Sequence, residues 1–295
     1  MDKQKFLDKI SAGEILVADG ATGTNLQARG LPNGVSTEMW LFDQPEKCMD
    51  LQRDFIKAGS DIILTNTFGG TAAKLNKIGW GSRAVEVNKR AVELARQTVG
   101  DSLVYVAGSI GPTGELIKPL GSLEEDEAER QFADQARALA EAGVDFLVIE
   151  TQFDITEATA AVRGAHSVCS LPVVCSFSYD RGTRTMMGVN PQKMAQAISA
   201  LGVDVLGINC GRSLEDNLKA LVELKSSTDL PIWFKPNAGM PKLDAQGNSV
   251  YDVSPDEMGA LIPVWISAGA RIVGGCCGTS PEHLKAIALA VKNIK

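Results

Sequence analysis

Ala142-Gly143-Val144-Asp145-Phe146-Leu147-Val148 is the stretch on which the fold turns, because the chain writes the same pattern four times. The other copies are Ala58-Gly59-Ser60-Asp61-Ile62-Ile63-Leu64, Leu201-Gly202-Val203-Asp204-Val205-Leu206 and Ala268-Gly269-Ala270-Arg271-Ile272-Val273. Each sets a glycine where a helix C-cap needs positive φ, then a short unbroken apolar run of the kind that forms a parallel strand buried on both faces. The unit is the end of a helix joined to the start of a strand, and its repetition makes a βα repeat.

Completing the repeat predicts eight strands: Glu14–Asp19, Asp61–Asn66, Leu103–Gly108, Asp145–Glu150, Pro172–Ser178, Asp204–Asn209, Pro231–Lys235 and Arg271–Gly275. Helical periodicity fills the gaps. Over Pro45 to Ala58 it puts Cys48, Leu51, Phe55 and Ile56 on one face, and the segment from Glu124 to Ala142 carries acidic residues in its first turn, where the helix dipole favours them. Eight strands with helices between them predict an α/β fold, a single (β/α)8 TIM barrel. The 295 residues exceed the roughly 250 that one such barrel needs, so the expected organisation is one domain over residues 1–295. A doubly wound open sheet is the alternative, but its Gly-x-Gly-x-x-Gly turn after the first strand is missing.

The 29 basic and 36 acidic residues give a net charge of −7, with no Lys/Arg run to follow a phosphate backbone, which argues against nucleic acid as a partner. No apolar stretch reaches signal-peptide or membrane-spanning length, so no membrane partner is expected and a cytoplasmic location is. A reducing compartment makes the six cysteines thiols, metal ligands or packing residues rather than a disulfide framework.

Long connections follow the first, third and seventh strands, and barrel active sites are built at that carboxyl end. The strand-end residues include Asp19, Thr65-Asn66, Ser109, Glu150, Asn209-Cys210, Lys235 and Gly275-Cys276-Cys277. Three thiolates from Cys210, Cys276 and Cys277 suit Zn2+, a tetrahedral ion with Zn–S near ~2.3 Å, and leave a fourth position for a substrate thiol, which would lose its proton there. The competing reading makes Cys276-Cys277 a buried pair or vicinal disulfide and Cys210 a core residue. Cys48, Cys169 and Cys175 are expected to pack. Asp19 and Glu150 can receive a substrate ammonium or form ion pairs with a neighbouring Lys or Arg, and Thr65 can bind a carboxylate or cap its loop. Lys235 supplies a rival, since Schiff-base barrels place a lysine on a strand in this way. The two histidines, His166 and His283, are too few for histidine-based metal chemistry, and His283 reads as part of a helix start at Ser280-Pro281.

With these residues in place, the chain resembles the homocysteine S-methyltransferase family, which includes the homocysteine-binding module of cobalamin-dependent methionine synthase and the betaine–homocysteine methyltransferases. The resemblance runs through Asp19-Gly20-Ala21-Thr22-Gly23-Thr24, Thr65-Asn66-Thr67-Phe68, Gly111-Pro112-Thr113-Gly114, Ile149-Glu150-Thr151, Asn209-Cys210, Pro236-Asn237-Ala238-Gly239 and Gly274-Gly275-Cys276-Cys277-Gly278-Thr279. It implies zinc held by Cys210, Cys276 and Cys277, the homocysteine sulfur as fourth ligand, and the amino-acid part near Asp19, Thr65 and Glu150. Thr65-Asn66-Thr67-Phe68 and Pro236-Asn237-Ala238-Gly239 are closer to the methionine synthase module, implying a methyl donor carried by a separate corrinoid protein. Betaine enzymes of the mammalian type use aromatic side chains to hold a quaternary ammonium. Here Gly69 and Thr151 stand where that subgroup has tyrosines, and Trp40 is the remaining aromatic candidate. Bacterial betaine-type enzymes are also similar, including over Met186-Met187-Gly188-Val189, which keeps betaine open.

Overall fold

The computed structural model describes residues 3–243 and 249–294. Its strands are β1 (Leu16–Val17), β2 (Ile62–Leu64), β3 (Tyr105–Ile110), β4 (Phe146–Gln152), β5 (Val173–Phe177), β6 (Val205–Cys210), β7 (Ile232–Pro236), β8 (Lys242–Leu243), β9 (Ser249–Val250) and β10 (Ala270–Val273). Eight of them form one parallel sheet in the order β1-β10-β7-β6-β5-β4-β3-β2, and a parallel bridge between Ala18 and Ile62 joins its two ends. With a helix in every crossover, this is the expected (β/α)8 barrel.

The repeated motif explains the register. Its four glycines, Gly59, Gly143, Gly202 and Gly269, have φ between 81° and 111°, the left-handed cap that releases each helix into the next strand. In three copies an aspartate follows, and each grips the preceding strand twice. Asp145 donates its backbone N–H to Val106 O (2.8 Å) and accepts the Val106 N–H on Oδ2 (2.7 Å). Asp61 does the same with Val17 (2.7 and 2.9 Å), and Asp204 with Val173 (3.0 and 2.8 Å). The fourth copy has Arg271 at this position, and the β10–β7 ladder shifts register between Ala270 and Ile272.

Alternation along the strands builds the interior in layers. Tyr105, Ala107, Phe146, Val148, Val174, Val205 and Trp233 form its apolar part, and the first helix (Lys3–Ser11) closes the floor by stacking Phe6 on Phe146 at a centroid distance of 4.0 Å. Two residues further along, or four in β6, the inward positions turn polar: Ser109, Glu150, Ser176, Asn209 and Lys235 are all buried. The barrel is therefore a dry plug with a polar layer beneath its mouth.

The helix over Pro45–Ala58 has its expected bounds, with Cys48, Leu51 and Phe55 buried, and Glu125–Ala142 begins one residue later than expected because Glu124 is its N-cap. β3 starts two residues later than expected, since a turn at Ser102 leaves Leu103 79% exposed. β10 ends before Gly274 and Gly275, whose N–H groups turn to Phe234 O and Asp19 O. The antiparallel ribbon β8–β9 after β7 carries no signal in the sequence beyond the length of its loop.

Removing one aspartate grip leaves the Val106 N–H unpaired in the interior. We expect Asp145→Ala to cost about 1–3 kcal/mol of unfolding free energy, read as a lower urea midpoint with unchanged slope, against about 0.5 kcal/mol or less for the exposed Asp134→Ala. Equal midpoints for the two variants would remove the register role given to the motif.

Candidate metal centre and substrate cavity

The strand ends enclose a cavity of about 420 Å3. Asp19, Thr65, Asn66, Glu150 and Lys235 line one part of it, and Cys210, Cys276 and Cys277 another. Asn209, also read as a strand-end residue, sits behind the wall with Ser176.

The Cys210 Sγ lies 3.1 Å from Cys276 Sγ and 3.8 Å from Cys277 Sγ, and the ligand atoms of all three lie within 4.8 Å of one another. Two sulfurs bound to one tetrahedral ion at about 2.3 Å lie about 3.8 Å apart, so this spacing suits a shared metal. The three are free thiols, which disposes of the vicinal-disulfide reading. β7 lies between their strands and joins them: Cys276 N–H donates to Pro236 O (2.8 Å), and Asn237 N–H donates to Cys210 O (3.3 Å). Tight backbone makes room, since a Cβ on Gly275 would lie 2.4 Å from Thr279 Cγ2. Hydrogen bonds from Cys210 and Cys276 hold the Cys277 thiol far below its ordinary pKa, while those same bonds and burial push Cys210 up.

The carboxylates divide. Asp19 is fully engaged, with Oδ1 at 2.5 Å from Lys235 Nζ and Oδ2 accepting the Leu64 N–H at 2.8 Å. Glu150 accepts only the Ser109 hydroxyl (2.6 Å) among its resolved hydrogen bonds, and burial, opposed by Lys235, raises its pKa to about 7. Burial alone would lower the Lys235 pKa, but Asp19 and Glu150 outweigh it and the net shift is upward. A lysine held as an ammonium is a poor nucleophile, so the geometry speaks against the Schiff-base reading. Thr65 is occupied as well: its hydroxyl meets Thr67 Oγ1 (2.7 Å) and accepts from Ser109 N–H (3.1 Å), while Thr67 donates to Ser109 O (2.7 Å). That chain fixes Ser109, and through it Glu150.

Residues read as structural stay so. Cys48 is buried with its pKa raised to about 11 by desolvation, Cys175 is buried inside β5 and raised further, and Cys169 donates to Ala165 O. His283 accepts from Ser280 N–H at the start of the helix Pro281–Ile294. Trp40, the aromatic candidate for an onium cage, is buried away from the cavity with Lys47 Nζ 4.6 Å above its ring, which leaves Phe68 as the aromatic lining residue among those described. Tyr251, which the sequence reading missed, hydrogen-bonds Cys277. Its only signal was its position in the long loop after the seventh strand.

Fold and site together define a (β/α)8-barrel enzyme built around three metal-competent thiols. The sequence profile of homocysteine S-methyltransferases matches residues 16–291. The chain belongs to the homocysteine S-methyltransferase family. It is similar over 97% of its length to the metallated form of the homocysteine methyltransferase MmuM from Escherichia coli, with 26% identity, 98% of that chain covered and a TM-score of 0.81. It is also 30% identical to the methionine synthase of Mycobacterium tuberculosis over 98% of this chain and 26% of that protein, and 30% identical to that of Mycobacterium leprae over 95% and 24%. The chain thus spans about a quarter of the length of these curated relatives. No helix among the described residues is long and apolar enough to cross a membrane.

Iodoacetamide added to metal-free protein near neutral pH should label the Cys210, Cys276 and Cys277 cluster first and leave Cys48 and Cys175 unmodified, as read by peptide mass mapping. Early labelling of Cys48 would contradict both its burial and its raised pKa.

Proposed function

We propose that this chain acts as one homocysteine-binding domain over residues 1–295 that transfers a methyl group to homocysteine and forms methionine. Its cofactor in this reading is one Zn2+ held by Cys210, Cys276 and Cys277. The observation that carries the reading is the gathering of three free thiols, within 4.8 Å of one another, on a cavity whose other polar groups suit an amino acid. A metallated relative supports it.

The donor set of three thiols fits a soft, tetrahedral ion with one position to spare. When bound, zinc supplies Lewis acidity that lowers the pKa of a thiol entering that position from about 8.5, so that a thiolate exists at neutral pH. The chain's own residues do the rest. Glu150 receives the substrate ammonium, since Asp19 is spent on Lys235 and positions it. Thr65 holds Ser109 against Glu150, and the apolar plug below excludes water from that side. With the substrate sulfur facing the open mouth, an S–CH3 bond would form as the bond from the methyl carbon to its carrier breaks and its electron pair leaves with the donor, and holding the two partners in line would be the main source of rate.

For the methyl donor we favour a methylated corrinoid presented by a separate protein. The stretches Thr65-Asn66-Thr67-Phe68 and Pro236-Asn237-Ala238-Gly239, which resemble the module of cobalamin-dependent methionine synthase, support this choice. Betaine or another onium compound is the second reading.

Metal analysis should find about one zinc per chain, falling to background in Cys210→Ser together with methyl transfer. The parent protein should methylate homocysteine from a methylated corrinoid protein and not from betaine. Full zinc and full activity in Cys210→Ser would remove the mechanism.

Methionine, having no thiol proton to lose, isolates the ammonium site. Glu150 with its raised pKa is mostly protonated below about pH 7 and cannot pair with an ammonium there. Methionine affinity for metal-free protein should therefore strengthen as pH rises through 7 and weaken as it falls. Glu150→Gln should abolish that slope and weaken binding at pH 8 by about 10–100-fold, the value of a charge-assisted contact of about 1.5–3 kcal/mol. A slope unchanged in the variant would assign the ammonium elsewhere.

A further inference from the structure

Among the described residues only two other than glycine have positive φ, and both stand at this site: Thr151 at 61° and Cys210 at 58°. A β-branched residue in the left-handed region is a true outlier that its surroundings must hold in place. In β4 the cause is visible. Ile149 pairs with Cys175 and Gln152 with Phe177, so β4 carries one extra residue between them, a bulge at Glu150-Thr151. Because of the bulge, two successive residues, Glu150 and Thr151, both line the cavity, which plain strand alternation forbids.

One side chain holds this arrangement. Asn209 is fully buried, and its amide makes four contacts. Its Oδ1 accepts from Thr151 N–H (2.9 Å) and from the Ser176 hydroxyl (2.6 Å). Its Nδ2 donates to Thr151 Oγ1 (2.7 Å) and to Cys276 Sγ (3.8 Å). These saturate two acceptor lone pairs and two N–H groups, and the Thr151 N–H fixes which end of the amide is oxygen. Asn209 also precedes Cys210, the second strained residue, whose carbonyl is held in turn by Asn217 Nδ2 (2.7 Å).

We infer that Asn209 is a positioning residue that ties the thiol trio to the amino-acid pocket: one N–H of its amide supports the Cys276 sulfur, and the rest of the amide pins the β4 bulge that turns Glu150 and Thr151 into the cavity. Both halves of this inference rest on the function proposed above, the zinc half on its metal and the pocket half on its placing of an amino acid at Glu150.

Asn209→Asp separates the halves. It keeps both acceptor contacts, and the Thr151 hydroxyl can turn to donate, but the N–H toward sulfur is gone. Zinc affinity, measured by competition with a chromophoric chelator, should fall about 10–100-fold, as for other partners behind a metal ligand. The thiolate-to-metal absorption of the Co2+-loaded protein should shift, a signature that a loss of general stability does not produce. Methionine binding to the metal-free variant should not weaken. In Asn209→Ala both affinities should fall, and adding Thr151→Gly, which is at ease at positive φ, should recover methionine binding but not zinc. Zinc affinity and Co2+ spectrum equal to the parent's in Asn209→Asp, or no recovery by Thr151→Gly, would overturn the inference. Should Asn209→Ala fail to fold, the Asp variant decides alone. A parent protein that binds no zinc would defeat the function proposed above, while the methionine measurements would still judge the pin.

Discussion

Three sulfur atoms that share or shed protons within a few ångströms repel one another as they ionise, and the upper half of this molecule is arranged around keeping them together. Their spacing is set by backbone rather than by any attraction among the thiols. Cys210 ends β6, and Cys276-Cys277 follow β10; the end of β7 runs between these two strands and hydrogen-bonds to both. The barrel's closed ladder is stiff enough to impose this geometry on a cluster that water would disperse. Positive φ at Cys210 is part of the cost, and such strain persists only where the surrounding structure over-determines it.

The polar layer beneath the mouth follows from the same stiffness. Burying charge is costly unless each group is paired, and here the pairing is uneven. Asp19 and Lys235 satisfy each other and a backbone N–H, so they form a neutral, fixed floor. Glu150 is left with a hydroxyl partner and a raised pKa, which makes it the group whose charge is still uncompensated when it ionises. An incoming ammonium removes that deficit. In the function proposed above, the preference for an amino acid comes from this imbalance in an otherwise satisfied layer, and the layer lies beside the thiols because period-two alternation brings the ends of β3, β4 and β7 to the same height.

Much of this was legible in the chain because the fold is written locally. The repeated glycine marks a left-handed cap, and the aspartate after it marks where a strand begins, so strand ends, and with them Cys210, Cys276 and Cys277, could be read off by counting. What escaped reading depends on contacts between distant segments. Asp19 and Lys235 both stood out, one as an ammonium receptor and one as a nucleophile, yet nothing within either segment says that they meet across the barrel. Trp40 passed for a cavity aromatic because its burial and its contact with Lys47 are set by how the short helix Trp40–Asp43 meets the helix Pro45–Ala58, an angle that the sequence does not spell out. The ribbon β8–β9, the Tyr251 contact and the bulge at Thr151 were invisible for the same reason.

The bulge shows why such a site needs a rigid frame at all. A regular β4 would show the cavity Glu150 and then, two residues on, Gln152, with Thr151 turned outward. One inserted residue brings Glu150 and Thr151 to the cavity wall together, but it breaks the ladder to β5 and pushes Thr151 into a backbone region that a threonine resists. A flexible loop would relax by swinging Glu150 away. In the barrel, relaxation is opposed from two strands away, because Asn209 on β6 grips both the backbone and the hydroxyl of Thr151 and is itself held by Ser176 on β5, the strand between them. The strained residue, its pin and the thiols then form one connected unit across three neighbouring strands and β10.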